Sequence, residues 1–473
     1  MNLVSPELAA LQSRLIALAQ RWALREPVDL DHAAQLRAEA LALLHRHYLA
    51  RIPAYARLAA QEGVGQRADP ALLKARLMST DDLFKSYRPR WLDEGDFASM
   101  TAWLGELHHR PIRVDAAGFA SLDQWLERLR AGGLRPVLSS GTSGALSFVP
   151  RDEANLALTR RANTAILLPL LLYDRLGEPW QRALAGPAAR LLGPAAFERA
   201  ARRLAPRGFE AVLLDFRGGR TGMQAIAAEL APAFGRSHFL YPLELTAADL
   251  RRLGRPPRGE ADLALLARLQ RETVARRDEH LARLAAAMAA AARAGRRVFI
   301  FGAPFQLKDL CAHLRGAGRP LELAPGSAVL FGGGWKSFAG EAIPREELEG
   351  ALSLWLGLPP ERIIEGYSMT ELNVMLVRCR HGRFHIPPSL EPALFDEALE
   401  PVEVAPGAPR HGLFGFLDPL AFSYPGFIIT GDQVTWLDAP CPCGLTGPAL
   451  TAIARAGGRE AKGCAGVLAS VQA

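Results

Sequence analysis

Only five cysteines occur in 473 residues: Cys311, Cys379, Cys441, Cys443 and Cys464. So few thiols, so unevenly spaced, exclude a disulfide framework and indicate a reducing compartment. Long apolar runs are missing too. The run at 165–173 is broken by Pro169 and falls far short of the ~20 residues that span a bilayer. The N-terminus lacks a basic start and a continuous apolar core, so no signal peptide is expected and the protein is expected to be cytoplasmic. Although the net charge is +7, no Lys/Arg block with interleaved aromatics appears. That speaks against nucleic-acid binding, and an anionic substrate accounts for the surplus equally well. No Gly-Lys-[Ser/Thr] follows the glycine-rich loop, so a Walker-type phosphate loop is also excluded. What remains, at 49% hydrophobic and 22% charged residues, is the composition of a globular protein long enough for two or three domains or subdomains.

The stretch around which the rest is organised is Leu138–Pro150. An apolar strand candidate, Pro136-Val137-Leu138, enters six small or hydroxylated residues: Ser139, Ser140, Gly141, Thr142, Ser143 and Gly144. Small residues let the backbone approach a ligand closely, and successive N–H groups in such a loop form an anion-binding nest. Four hydroxyls add donors. Loop and hydroxyls together suit the polyphosphate of ATP; the alternative is a Ser/Gly-rich surface loop.

Ahead of this loop, residues 1–62 read as helices, with Leu8, Leu11, Leu15, Leu18 and Trp22 at spacings of three and four. Leu122, Trp125, Leu126 and Leu129 share one helical face, stopped by Gly132-Gly133. Behind it, Glu153–Leu172 is expected to be helical up to the Pro169 region, and Ala261–Ala294 to be one long helix stopped by Gly295. Then strands and helices alternate. Val298–Phe301 is followed by Gly302-Ala303-Pro304-Phe305 and a helix over 306–314. Ala328–Phe331 runs into Gly332-Gly333-Gly334-Trp335-Lys336, followed by a helix over 345–356. Arg362–Ile364 leads into Glu365-Gly366-Tyr367-Ser368-Met369-Thr370-Glu371. This alternation predicts an α/β fold with a mostly parallel sheet, in which ligands bind beyond the carboxyl ends of the strands. From Cys379 on, short strands with many Pro and Gly predict a small β subdomain carrying Thr430-Gly431-Asp432. The expected division is a helical segment at 1–84, an α/β core at 85–375, the β subdomain at 376–452 and a short tail at 453–473.

Three motifs stand in order: Ser-Ser-Gly-Thr-Ser-Gly (139–144), Gly-Tyr-Ser-Met-Thr-Glu (366–371) and Thr-Gly-Asp (430–432). Together they resemble the acyl-adenylate-forming superfamily of acyl-CoA ligases, luciferases and adenylation domains, over roughly residues 85–465. Within it the chain looks closest to the phenylacetate–CoA ligase branch and to the acyl-protein synthetases of bacterial luminescence. The latter likeness rests on Gly332–Lys336, Asp418-Pro419-Leu420, Ser423-Tyr424-Pro425 and the ending Gly458–Cys464.

The resemblance implies ATP-dependent activation of a carboxylic acid as acyl-AMP, followed by transfer of the acyl group to a thiol. Loop 139–144 would hold the β/γ-phosphates. Tyr367 would stack on adenine, with Gly332, Gly333 and Gly334 lining the base and Glu365, Gly366 and Ser368 completing the nucleotide turn. Thr370 would bond the α-phosphate and Glu371 would hold Mg²⁺. Asp432 would accept bonds from the ribose hydroxyls, and Arg455 stands where the family often has a basic hinge residue. Phe301, Gly302 and Pro304 are candidates for the acyl pocket; the apolar character of Phe301, Pro304 and Phe305 favours an aryl or fatty acid, the alternative being that these residues are core.

Two departures are visible. Ala145-Leu146-Ser147 replaces the usual Pro-Lys after the loop, and the C-terminal domain with the superfamily's catalytic Lys is expected to be missing. Lys336 is the candidate replacement cation. In acyl-protein synthetases a cysteine near the C-terminus accepts the acyl group, and Cys464 falls in the matching place. Lys462 would lower its pKa modestly and neighbouring glycines would give access, as a nucleophile needs; the alternative is a small buried residue in a last strand. Other acceptors are CoA or a carrier thiol, in a CoA ligase or aryl-acid adenylating enzyme, and an acyl-CoA reductase is a partner such chemistry would feed. A nucleotide-binding protein without catalysis is the reading of another class.

Finally, Cys379-x₅-His385 and Cys441-x-Cys443 offer three thiolates and an imidazole, the donor set of a closed, structural zinc site. His381 is a rival ligand, and unliganded buried thiols are the alternative.

Overall fold

The computed structural model describes residues 4–115, 118–140, 146–173, 209–219, 224, 234, 236–253, 256–334 and 342–456. In chain order its strands are β1 (Ser79–Thr80), β2 (Leu134–Ser140), β3 (Leu146–Asp152), β4 (Phe209–Gly218), β5 (Arg236–Glu244), β6 (Arg297–Gly302), β7 (Ala328–Gly332), β8 (Ile363–Tyr367), β9 (Leu376–Arg378), β10 (Phe384–His385), β11 (Glu391–Phe395), β12 (Arg410–Leu417), β13 (Phe427–Leu437) and β14 (Ala449–Arg455). β2 and β3 pair with each other. The fold is mixed α/β, and the described residues gather into two compact units, one from those within 4–137, 147–173 and 369–456, the other from those within 138–140, 146 and 209–368.

In the first unit, five helices begin where a side chain satisfies a free N–H group of the first turn. Ser5 caps helix Pro6–Ala23, Asp29 caps Leu30–Arg51, Asp69 caps Pro70–Arg76, Asp96 caps Phe97–Glu106 and Ser121 caps Leu122–Ala131. Helix Pro6–Ala23 buries Leu8, Leu11, Leu15, Ile16 and Trp22, and Leu122–Ala131 buries the predicted Leu122, Trp125, Leu126 and Leu129. The helix after β3 runs from Glu153 to Tyr173, within one residue of the expected Glu153–Leu172, and Pro169 lies inside it. The sheet of this unit has the order β11-β12-β13-β14-β10-β9, antiparallel throughout, with the short β1 added parallel to β13. Gly415 in β12 has no room for a side chain: a Cβ there would lie 2.4 Å from the ring of Phe395.

In the second unit the order is β8-β7-β6-β4-β5, all parallel. Such strands are covered on both faces, so they read as unbroken apolar runs rather than as alternation; Val298–Phe301 and Ala328–Phe331 are buried throughout. The expected helices at 306–314 and 345–356 are present as Pro304–Gly316 and Arg345–Leu356. The single long helix expected at 261–294 is instead two, Glu260–Gln270 and Arg277–Arg293, separated by a π-turn over Arg271–Ala275. A π-turn adds one residue to the helical ladder, which apolar periodicity alone does not reveal. There Glu272 accepts bonds from Arg276 at 2.9 Å and from His280 at 2.9 Å, fixing the irregularity.

Candidate active site

In the second unit β6, β7 and β8 lie side by side and parallel, with Gly302, Gly332 and Gly366-Tyr367 at their carboxyl ends. β7 and β8 pair so that Gly332 lies opposite Gly366, and β6 pairs with β7 so that Gly302 lies opposite Phe331. Gly332 approaches its neighbour closely, since a Cβ on it would stand 2.6 Å from the Gly366 carbonyl oxygen. Gly333 and Gly334 have φ of 82° and 62°, a left-handed turn that side chains resist. Tyr367 is buried at the end of β8, and Glu365 is 3.4 Å from Arg345. Phe301, Pro304 and Phe305 are buried. Gly141, Thr142, Ser143, Gly144, Lys336 and Cys464, together with the Ser140 side chain, lie outside the described residues; Ser139 and the Ser140 backbone end β2.

The first unit holds the Thr-Glu pair. The Thr370 hydroxyl donates to Glu371 Oε2 at 2.8 Å. Glu371 is buried, and burial raises its carboxyl above the ordinary glutamate range while the Thr370 bond opposes that shift. Also in this unit, β13 and β14 pair so that Asp432 lies opposite Arg455, with Arg455 Nε 3.3 Å from Asp432 Oδ1. The Asp432 amide donates to Thr430 Oγ1 at 3.2 Å.

The four predicted zinc ligands also come together here. Cys379 follows β9, His385 ends β10, and Cys441 and Cys443 stand between β13 and β14, with one donor atom of each within 4.8 Å of all the others. Cys379 Sγ and Cys441 Sγ are 3.8 Å apart, and Cys443 Sγ is 3.3 Å from His385 Nε2. Two thiolates on one tetrahedral zinc, with Zn–S about 2.3 Å, stand roughly 3.8 Å apart, so the donor set and its spacing fit the metal. The bond from Cys443 holds the Cys379 thiol well below its ordinary range. His381 is outside the cluster, exposed and bonded by Arg380 at 3.2 Å.

Sequence reasoning missed two buried groupings in the same unit. Arg151 and Asp152 end β3 and are buried, as is the rest of the strand. Arg151 reaches the 370–373 segment, donating to the Thr370 carbonyl at 2.6 Å. Asp152 Oδ2 accepts from His109 Nε2 at 2.9 Å, and His109 Nδ1 is 3.2 Å from His47 Nε2, itself 3.1 Å from the Phe422 carbonyl. A carbonyl only accepts, so His47 Nε2 carries the proton and His109 Nδ1 accepts. The one signal in the sequence was a charged pair placed directly after an apolar strand.

Comparison with known proteins places part of this chain. Residues 276–472 match the family model described as acyl-protein synthetase, LuxE. Over 142 residues, 30% of this chain and 36% of the relative, it is 28% identical to a long-chain-fatty-acid–luciferin-component ligase of Vibrio harveyi. Over 176 residues, 37% of this chain and 46% of the relative, it is 26% identical to the protein of the same name from Aliivibrio fischeri. These matches thus span less than half the length of the curated relatives. Among solved structures, 2-hydroxyisobutyryl-CoA ligase in complex with 2-HIB-AMP and CoA aligns over 91% of this chain and 70% of its own, at 14% identity and a TM-score of 0.46. Through the segment carrying Gly366–Glu371, Asp432 and the four Cys/His residues, the chain is similar to the acyl-protein synthetases of the LuxE family.

Proposed function

We propose that this chain is an ATP-dependent ligase that activates a carboxylic acid as acyl-AMP and passes the acyl group to a thiol. The observation that carries the reading is the Thr370–Glu371 pair, hydrogen-bonded at 2.8 Å with the Glu371 carboxyl buried, inside the segment similar to acyl-protein synthetases. A carboxylate is a poor electrophile; attack of its oxygen on the α-phosphorus of ATP, with pyrophosphate leaving, turns it into a mixed anhydride that a thiol can open. Thr370 would bond the α-phosphate and Glu371 would hold Mg²⁺, which supplies charge neutralisation as pyrophosphate departs. Loop 139–144 would cradle the outer phosphates, Tyr367 with Gly332–Gly334 and Glu365–Ser368 the adenine, and Asp432 the ribose, with Lys336 as an added cation and Arg455 steadying Asp432.

The curated relatives are named for ligating a long-chain fatty acid, and we assign the same class of acid here, with Phe301, Gly302 and Pro304 on its path. Cys464 is the acceptor thiol in this reading, and an acyl-CoA reductase the downstream partner. The Cys379–His385–Cys441–Cys443 cluster holds a structural zinc. A cytoplasmic location is part of this reading; separately, no helix among the described residues is long and apolar enough to cross a membrane.

ATP–pyrophosphate exchange with Mg²⁺ and a panel of fatty and aromatic acids tests the activity. Exchange strongest with long-chain acids is expected; nucleotide binding without exchange for any acid would show an inert nucleotide-binding protein instead. Radiolabelled acid then reads the acceptor. Label should remain on the wild-type protein and disappear in Cys464→Ala while exchange persists, whereas label passing only to added CoA would make this a CoA ligase.

A further inference from the structure

A turn that carries reacting groups but belongs to no helix or strand must get its rigidity from outside, because its own backbone offers little. Residues 370–375 are such a turn. Four consecutive carbonyls in it are each taken by a side chain from elsewhere in the first unit. Arg151 Nη2 donates to Thr370 O at 2.6 Å and to Leu372 O at 3.1 Å, the Tyr424 hydroxyl to Glu371 O at 3.0 Å, and Asn163 Nδ2 to Asn373 O at 2.9 Å. The amides are taken as well: Asn373 N donates to Asp418 Oδ2 at 2.8 Å and Met375 N to Asn163 Oδ1 at 2.9 Å.

The cradle is itself tied together. Arg151 Nη1 donates to Asn373 Oδ1 at 2.9 Å, and Asn373 Nδ2 donates to Asp418 and to the Tyr424 hydroxyl at 2.8 and 2.9 Å. The Arg151 guanidinium also lies 5.3 Å from the centre of the Tyr424 ring, within cation–π range. Arg151, Asp418 and Tyr424 are all buried, so these bonds are made out of water, where geometry is held most tightly.

We infer that Arg151, Asn163, Asp418 and Tyr424 are positioning residues that hold Thr370 and Glu371 in working geometry, with Arg151 as the central tie. None of the four is assigned to the nucleotide, the metal or the acid. The catalytic half of this inference rests on the adenylation reading above; the mechanical half does not. Misplacing a reacting group by a fraction of an ångström costs rate rather than fold.

The test compares wild type, Arg151→Lys and Tyr424→Phe by hydrogen exchange and by ATP–pyrophosphate exchange. Arg151→Lys keeps the charge but cannot bridge two carbonyls with a planar fork. Tyr424→Phe keeps the ring and loses only the hydroxyl, so it decides the matter if the lysine variant does not fold. In both, amides of 372–375 should exchange faster while β12 and β13 keep their protection. The exchange reaction should fall roughly 10–100-fold in Arg151→Lys and less in Tyr424→Phe, with more Mg²⁺ needed for half-maximal rate and KM for the acid unchanged. Unchanged protection of 372–375 would overturn the cradle. Wild-type rates in both variants would overturn its catalytic role while leaving adenylation standing. Protection lost across the whole unit would reduce Arg151 to a core residue. A wild type that shows no exchange with any acid removes adenylation and the catalytic role together, and the amides alone then decide whether the turn is held.

Discussion

Glu371 is asked to work as a carboxylate in a place that favours the acid. Burial raises its pKa, and the Thr370 hydroxyl pulls the other way. Metal holding needs the ionised form, so Mg²⁺ competes with a proton there, and the Mg²⁺ concentration for half-maximal exchange should rise as pH falls. Glu371→Gln, isosteric and uncharged, is expected to lose about 100-fold or more of the exchange rate at any pH, with ATP binding measured by calorimetry far less affected. Asp215 carries the opposite lesson. It is buried in β4 and bonded by the Phe216 amide at 2.7 Å, and burial lifts it to about 6. Above its unfolded value near 3.8 the unfolded chain has released a proton that the fold still holds, so stability drops as pH rises toward 6 and stays reduced above. Asp215→Asn should therefore gain little at pH 4 and up to about 3 kcal/mol at pH 7, read from denaturant titrations at the two pH values.

At the level of elements, β3 ends in two charges facing different partners. Asp152 caps the following helix, accepting from the Asn155 amide at 2.8 Å, and also accepts from His109. Around it, burial pushes His47 and His108 down to about 4, with the neighbouring His109 as the next cause. Their unfolded values lie near 6.5, so between pH 6.5 and 4 the unfolded chain takes up protons that the fold refuses, and stability falls with falling pH. The steepest loss is expected in that window. His47→Asn with His108→Asn should flatten it, as seen in the pH dependence of the urea midpoint. A slope unchanged by the double variant would place the acid sensitivity elsewhere.

For the molecule as a whole, the division into two units separates two kinds of stability. The parallel sheet of the second unit rests on unbroken apolar strands, whereas the first unit closes β9, β10, β13 and β14 around three thiols and an imidazole. With zinc bound there, as proposed, a strong chelator should strip about one zinc per chain, lower the melting temperature, and expose amides of β9, β10 and β14 first, leaving β6–β8 protected. Cys379→Ser or Cys443→Ser should do the same without chelator. Purified protein free of zinc would end the assignment.

Much of this was legible in the residues themselves. β6, β7 and β8 announce themselves because strands covered on both faces must be apolar throughout, and the motif order Gly366–Glu371 then Asp432 is a matter of reading along the chain. The donor set of the Cys/His cluster was legible for the same reason: chemistry limits which side chains hold zinc. Local sequence also specifies the helix starts, through Ser5, Asp29, Asp69 and Ser121. What only tertiary structure decided is which distant groups meet. Arg151 lies 219 residues from the Thr370 carbonyl it grips, and Cys379 lies 62 residues from Cys441. No periodicity encodes such contacts, because they are set by how strands pair and helices pack, not by local backbone preference. The π-turn at 271–275 was hidden likewise, since a side-chain network with His280 holds it in place. The sequence names the groups that could do chemistry; packing decides which of them are held still enough to do it.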